Sequence, residues 1–422
     1  MGAARRGNGT TVEASLACHS CSWRGEISNL YACPRCGSSL LVAYAGTYEP
    51  PNGPPNGPPN GMVDKGIWRY RHFLPVPAGA EPVTLGEGDT PLLRARRLDP
   101  SDGLLLKNET VNPTGSFKDR PVAVAATVAR ELGLSGLLCA STGNTGVAVA
   151  AYAARAGLPA ACVVPETTPA AKTAQIGAVG ARIVRVRGNY SDAYALARVA
   201  AENYGWANLT STYVNPYMLE GDKTVAYEIF EQLGERIPDW VVVPVGAGPL
   251  LAAIDKGFEE LGVSGPRMVA AQAAGCAPVV RAFESGAKEV REWDHSVETT
   301  ASSIADPLRG YPEDGTRTLS VVRQSGGTAI SISEEETREA TIDLARSEGL
   351  LVEPGAAVAL AAYRKLAAQA LIGTREQAVV VLTGHGLKDP DALRSAAGSE
   401  AEAAVVEPGD VEALGAALEV HG

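Results

Sequence analysis

The chain has 422 residues, of which 45% are hydrophobic and 20% charged, and its net charge is −11. That length supports two or three domains with a large core, and the acidic balance argues against a nucleic-acid-binding surface over most of the chain. No apolar run is long enough to span a bilayer and "MGAARRGNGT" lacks the apolar stretch of a signal peptide, so a cytoplasmic protein without a membrane partner is expected.

The first pattern in chain order is a pair of CxxC knuckles, Cys18/Cys21 and Cys33/Cys36, eleven residues apart. Each knuckle offers two thiolates from one tight turn, the spacing of a four-cysteine zinc ribbon, predicted over residues 1–48. Four protein sulfurs leave no open position on the metal, so the predicted zinc is structural. His19 is an alternative ligand or a solvated turn residue, and Cys139, Cys162 and Cys276 read as core. A tandem PPNG repeat follows from Pro50 to Gly61, has few backbone donors and little to bury, and predicts a linker over 49–66. The ribbon is then an appended module, and 67–422 is the main body.

In that body, apolar strand-like runs alternate with amphipathic stretches: "GLLCAS" with "TGVAVAAYAARAG", "AACVVPE" with "AAKTAQIGAVG", and "DWVVVPVGAG" with "PLLAAIDKGFEELG". This alternation predicts an α/β fold of two doubly wound parallel-sheet units sharing a cleft, a smaller one about 108–212 and a larger one from the remainder. Ligands in such folds sit beyond the carboxyl ends of the strands. Several unusual stretches fall there. "NPTGSFKDR" places Lys118 at a helix start behind Asn112, Pro113, Gly115 and Ser116. "STGNTG", Ser141 to Gly146, turns from a strand into an alanine-rich helix and suits either a helix cap or an anion site. "PVGAGPLL" sets Gly246 and Gly248 before a helix opened by Pro249, where backbone can approach a phosphate closely. Leu251 takes the place of the third glycine of a dinucleotide fingerprint, which points to a single phosphate group. "TGHGLKD" ends the strand "QAVVVL" with Thr383 facing the crevice; His385 in the same loop is a general-base candidate or a turn residue.

A lysine at a buried helix start has its ammonium form disfavoured by the helix dipole and by desolvation. The neutral amine is the form that condenses with an aldehyde. With a single-phosphate cradle, a hydroxyl and an asparagine, it makes a candidate pyridoxal phosphate site.

Together "NPTGSFKDR", "STGNTG", "PVGAGPLL" and "TGHGLKDPD" resemble the threonine synthase branch of the fold-type II pyridoxal phosphate enzymes, over about Leu85 to Pro390. The resemblance implies a tryptophan synthase β-like fold and a cytoplasmic homodimer acting on a small amino acid. It implies that Lys118 carries the Schiff base, that Asn144 bonds the cofactor's ring hydroxyl, and that Gly246, Ala247, Gly248, Pro249 and Leu250 hold its phosphate. It places Thr383 against the pyridine nitrogen, and assigns Ser141, Thr142, Thr145 and Lys172 to the substrate. The chain departs from the family where Met218 replaces an arginine, Tyr213 replaces a small hydroxyl residue and the cofactor loop lacks asparagines. Arg309 and Arg317 are candidate replacement cations for a substrate phosphate. The implied activity is elimination and replacement, with conversion of O-phosphohomoserine to threonine the leading expectation. The alternatives are a β-replacement enzyme or ammonia-lyase using O-phosphoserine, serine or threonine, and a non-catalytic homologue whose ribbon recruits a partner.

Overall fold

The computed structural model describes residues 12–46, 65–99, 103–168, 170–397 and 405–419. The linker expected over 49–66 lies almost wholly outside the described residues. Thirteen strands form three sheets among the described residues. β1 (Ala14–Cys18), β2 (Arg24–Gly25) and β3 (Leu40–Tyr44) make a small antiparallel sheet in the order β2-β1-β3.

β4 (Leu92–Arg94) and β5 (Leu104–Asn108) begin the largest sheet. The chain then leaves to build a second sheet from β6 (Leu137–Ala140), β7 (Ala160–Pro165), β8 (Arg182–Val186) and β9 (Ala207–Asn208), all parallel, in the order β8-β7-β6-β9. It returns with β10 (Trp240–Pro244), β11 (Arg267–Ala273), β12 (Thr328–Ile332) and β13 (Ala378–Leu382). These complete a six-stranded sheet, β12-β11-β10-β13-β5-β4, parallel except for the edge strand β4.

Every residue of "WVVVP" and "AVVVL" is buried, as expected of strands covered on both faces. Successive side chains of a strand point to opposite faces, and the packing shows it. Trp240 and Val242 share an apolar cluster with the helix Pro354–Ala368, whereas Val241 and Val243 pack with the helix Pro249–Glu260. In the smaller sheet, Leu137 and Cys139 pack with the helices Asp119–Glu131 and Asn144–Ala156, and Leu138 and Ala140 pack with Tyr190–Tyr204. Cys139 and Cys162 are register partners, and both are buried together with Cys276, as read from the sequence.

The N-terminal sheet differs from the appended module expected. Leu16, Cys18, Cys33, Leu40 and Val42 belong to the same apolar cluster as Val122, Val124, Val128 and Met218. Polar contacts fasten the seam: Tyr217 donates to the Ser28 carbonyl at 2.6 Å, Asn208 N–H donates to the Tyr31 hydroxyl at 3.2 Å, and Tyr44 donates to Glu220 at 2.6 Å. So small a sheet cannot bury its own apolar face, so it borrows one from the body. No described helix is long and apolar enough to cross a membrane.

Candidate active site

The loops singled out in the sequence follow β5, β6, β10 and β13 at their carboxyl ends. Backbone pairing draws two of them together: Phe117 N–H donates to the Thr383 carbonyl at 3.0 Å, Ser116 bridges Gly384, and His385 N–H donates to the Gly115 carbonyl at 2.9 Å. Lys118 is thereby set beside Thr383, at the N-cap of the helix Asp119–Glu131. Its ammonium group contacts the Ser211 hydroxyl and lies 4.1 Å from the centre of the Phe117 ring. Burial pulls the Lys118 amine down to about 8, partly opposed by the carboxylate of Asp222. Burial likewise pushes the Asp222 carboxyl up, and its Oδ1 is buried without a hydrogen-bond partner.

Behind Lys118, the fully buried Arg120 holds Glu109 through Nε at 2.6 Å and Glu228 through Nη1 at 2.8 Å. Lys107 donates to Glu228 at 2.7 Å. Two cations against two carboxylates balance the charge, and every guanidinium nitrogen is used, which is the condition for a buried ion cluster to be tolerated. The cluster ties β5 to the helix that Lys118 opens.

Asn144 is the first residue of the helix Asn144–Ala156. Its amide donates to Glu353 at 2.8 Å, and its buried Oδ1 has no partner. Glu353 is itself fixed by its N–H to the Gly384 carbonyl, 2.9 Å, and burial raises its carboxyl. Asn144, Glu353 and the Thr383–Gly384 turn thus form one wall of the crevice. Of the other residues expected here, Thr145 is buried, Ser141 accepts from Gly143 N–H at 3.2 Å, and Thr142 is partly exposed. The Lys172 side chain lies outside what is described.

Across the crevice, Gly248 takes φ 101° and caps the helix begun by Pro249, and a Cβ there would collide with the Thr318 hydroxyl. That hydroxyl donates to the Ala247 carbonyl at 2.6 Å. Tyr213 lies 2.9 Å from Thr318 and donates to the Gly248 carbonyl at 3.2 Å. The Gly246–Leu250 loop is therefore braced by Thr318 and Tyr213 through the Ala247 and Gly248 carbonyls.

His385 is a turn residue: its Nδ1 accepts from Leu387 N–H at 3.1 Å. Met218, 3% exposed, lies in the cluster shared with the N-terminal sheet, so this position packs against that sheet. The sequence reading missed Glu353, Asp222 and Ser211. A lone acid inside the apolar run "LLVEPGAAVAL" was the available signal for Glu353; Asp222 and Ser211 carry none.

The Sγ atoms of Cys18, Cys21, Cys33 and Cys36 lie within 4.8 Å of one another, and Cys18–Cys36 and Cys21–Cys33 are 3.4 and 3.7 Å apart. These gaps exceed a disulfide bond and match the roughly 3.8 Å edge of a tetrahedron with metal–sulfur bonds of about 2.3 Å. Ser20 and Arg35 amides donate to Cys18 and Cys33 sulfurs at 3.3 and 3.4 Å, which fixes the knuckles. His19 is not in the group.

Parallel sheets with a desolvated amine, an orphaned amide oxygen and a braced glycine loop at their strand ends define an α/β enzyme with a small-molecule site. The family model "Pyridoxal-phosphate dependent enzyme" matches residues 83–384, and the chain belongs to that family. It is 42% identical to a threonine synthase of Methanosarcina acetivorans, covering 86% of this chain and 89% of that one. A threonine synthase of Methanocaldococcus jannaschii is 40% identical, covering 86% and 90%. Among solved structures, a threonine deaminase from T.th. superposes with a TM-score of 0.57 at 28% identity over 67% of this chain and 87% of that one.

Proposed function

We propose that the chain is a threonine synthase, replacing the phosphate of O-phosphohomoserine by water. The observation that carries this is identity of about 40% to curated threonine synthases over most of both chains. The crevice supports it. The cradle where a Cβ would collide, the orphaned Asn144 oxygen and the lowered lysine fit pyridoxal phosphate, which the family uses.

In this reading Lys118 would hold the cofactor's aldehyde carbon, the Gly246–Leu250 loop would take its phosphate through the amides of Gly246, Ala247, Gly248 and Leu250, Asn144 would meet its ring hydroxyl and Thr383 its ring nitrogen. When bound, the cofactor supplies an electron sink for the amino acid's α-carbon. A threonine hydroxyl at the ring nitrogen would not protonate it as a carboxylic acid would, which would leave a milder sink suited to changes in the side chain. The Lys118 amine, neutral at a lower pH than a free lysine, is the chain's proton carrier at that carbon. Ser211 orients the amine, and Asp222 partly offsets the burial that lowers it. Ser141, Thr142 and Thr145 present hydroxyls and amides at a helix start for the substrate's carboxylate. The four cysteines hold a structural zinc that steadies the seam between the ribbon and the body.

A second reading, an ammonia-lyase or β-replacement enzyme, draws on Met218 and Tyr213. Neither offers a cation to a substrate phosphate, and Tyr213 is committed to bracing the Gly248 loop. Steady-state assay of O-phosphohomoserine, O-phosphoserine, serine and threonine separates the readings. Equal release of phosphate and threonine from the first supports threonine synthase. Keto acid and ammonia, or a β-substituted product, from one of the others, with no turnover of the first, assigns the second reading.

A further inference from the structure

Among the described residues, the half-buried Arg317 makes no ion pair. Arg317 lies on the helix Pro312–Gln324, one residue before the Thr318 that braces the Gly248 loop. Its guanidinium carbon is 4.3 Å from the centre of the Tyr213 ring, whose hydroxyl bonds the Gly248 carbonyl. Arg317 Nη1 is buried and has no hydrogen-bond partner, and no ion pair of Arg317 occurs among the described residues.

The nearest acid in sequence, Asp314, spends one carboxylate oxygen on Tyr213 N–H at 3.0 Å, and burial pushes its carboxyl up to about 7. It is therefore a poor permanent counterion. Burial also draws Arg317 below the ordinary arginine range, opposed only in part by Tyr213 and by the carboxylates of Asp314 and Glu220. Such a group is costly unless it meets an anion, and a guanidinium fork matches a phosphoryl group in two parallel bonds.

Arg309, the other candidate cation, is exposed, and it donates to the carbonyls of Trp293 at 3.4 Å and His295 at 3.3 Å. It is held on the outer surface. Tyr213 and Arg317 are in contact: the aromatic ring presents a face on which the guanidinium lies. Tyr213 sits two residues from the Ser211 that touches Lys118, so its segment spans from the reacting amine to the Gly248 loop.

We infer that Arg317, stacked on Tyr213, is the phosphoryl-binding residue of the substrate site. The inference rests on the threonine synthase reading for the identity of its substrate. The phosphoryl group in question is the substrate's leaving group; the cofactor's phosphate is the other source of the same chemistry.

The test compares the wild-type holoenzyme with Arg317→Gln, Arg317→Lys and the surface control Arg309→Gln. The readouts are KM and kcat for O-phosphohomoserine, competition by inorganic phosphate, cofactor content and thermal midpoint. Loss of one charge-assisted pair is expected to raise KM about ten- to a hundredfold in Arg317→Gln, with a far smaller change in kcat. Inhibition by inorganic phosphate weakens by the same factor, Arg317→Lys falls between, and Arg309→Gln matches wild type. Loss of cofactor from Arg317→Gln with an unchanged KM would move the residue to the cofactor's phosphate and overturn the inference. Unchanged KM and unchanged phosphate inhibition would overturn it too. If the wild type does not turn over O-phosphohomoserine, the functional reading fails by itself. Inorganic phosphate binding to the holoenzyme, measured calorimetrically in wild type and Arg317→Gln, then decides the role of Arg317: equal binding overturns the inference.

Discussion

Replacing Gly248 by alanine tests the proposed phosphate cradle. The residue caps its helix at φ 101°, and an added Cβ would run into the Thr318 hydroxyl. Holding an alanine in that left-handed region costs about 1–2 kcal/mol. Moving Thr318 aside endangers its bond to the Ala247 carbonyl and its contact with Tyr213, each worth about 0.5–1.5 kcal/mol. The total is about 2–5 kcal/mol, and the loop escapes it only by shifting away from its place against Thr318 and Tyr213. Cofactor affinity should then fall by about 30-fold or more. The assay is titration of apoprotein with pyridoxal phosphate, followed by absorbance, with a urea midpoint measured on the same apoprotein. Loss of affinity beyond the change in midpoint is the expected result. Affinity within threefold of wild type would show that the loop does not hold the phosphate.

The remaining predictions concern the amine, its surroundings and the ribbon. Because burial lowers Lys118, its amine is protonated below about pH 8 and neutral above it, so cofactor loading should accelerate as pH rises through that value and then level off; half-maximal loading near pH 10 would contradict this. Glu353→Ala leaves the Asn144 amide without its acceptor and should shift the absorbance and its pH titration in the holoenzyme, whereas Glu353→Gln, which retains an acceptor oxygen, should restore most of the signal. Identical spectra for all three proteins would remove Glu353 from the site. Cys36→Ser should lower zinc content from about one per chain and lower the thermal midpoint, because the ribbon shares its core with Val122, Val124 and Met218. Unchanged zinc content would reject the four-cysteine assignment.

The parallel α/β architecture and the positions of Lys118, Ser141–Gly146, Gly246–Leu250 and Thr383 were legible because each depends on a local pattern: a short apolar strand, a glycine or hydroxyl turn, and a helix. Boundaries agree closely, as with "DWVVVPVGAG" giving Trp240–Pro244 and Pro249 opening its helix. What depends on distant pairing was not legible. Asn144 and Glu353 are 209 residues apart, and nothing in either neighbourhood announces the other. The ribbon read as separate because the repeat that follows it carries a linker's composition. Its apolar residues pair with Met218 and the helix Asp119–Glu131, elements that are buried nearly all round and so show no stripe to reveal a partner. Met218 itself looked like a lost phosphate ligand; in the structure it packs in the cluster shared with the ribbon, while Arg317, its Nη1 without a hydrogen bond, lies against the Tyr213 ring.

Borohydride reduction of the pyridoxal phosphate-loaded protein, followed by proteolysis and mass spectrometry, tests the assignment on which the rest depends. The account predicts a single phosphopyridoxyl group on the peptide containing Lys118, absent from Lys118→Ala. The same group on another lysine, or undiminished labelling of the variant, would contradict it.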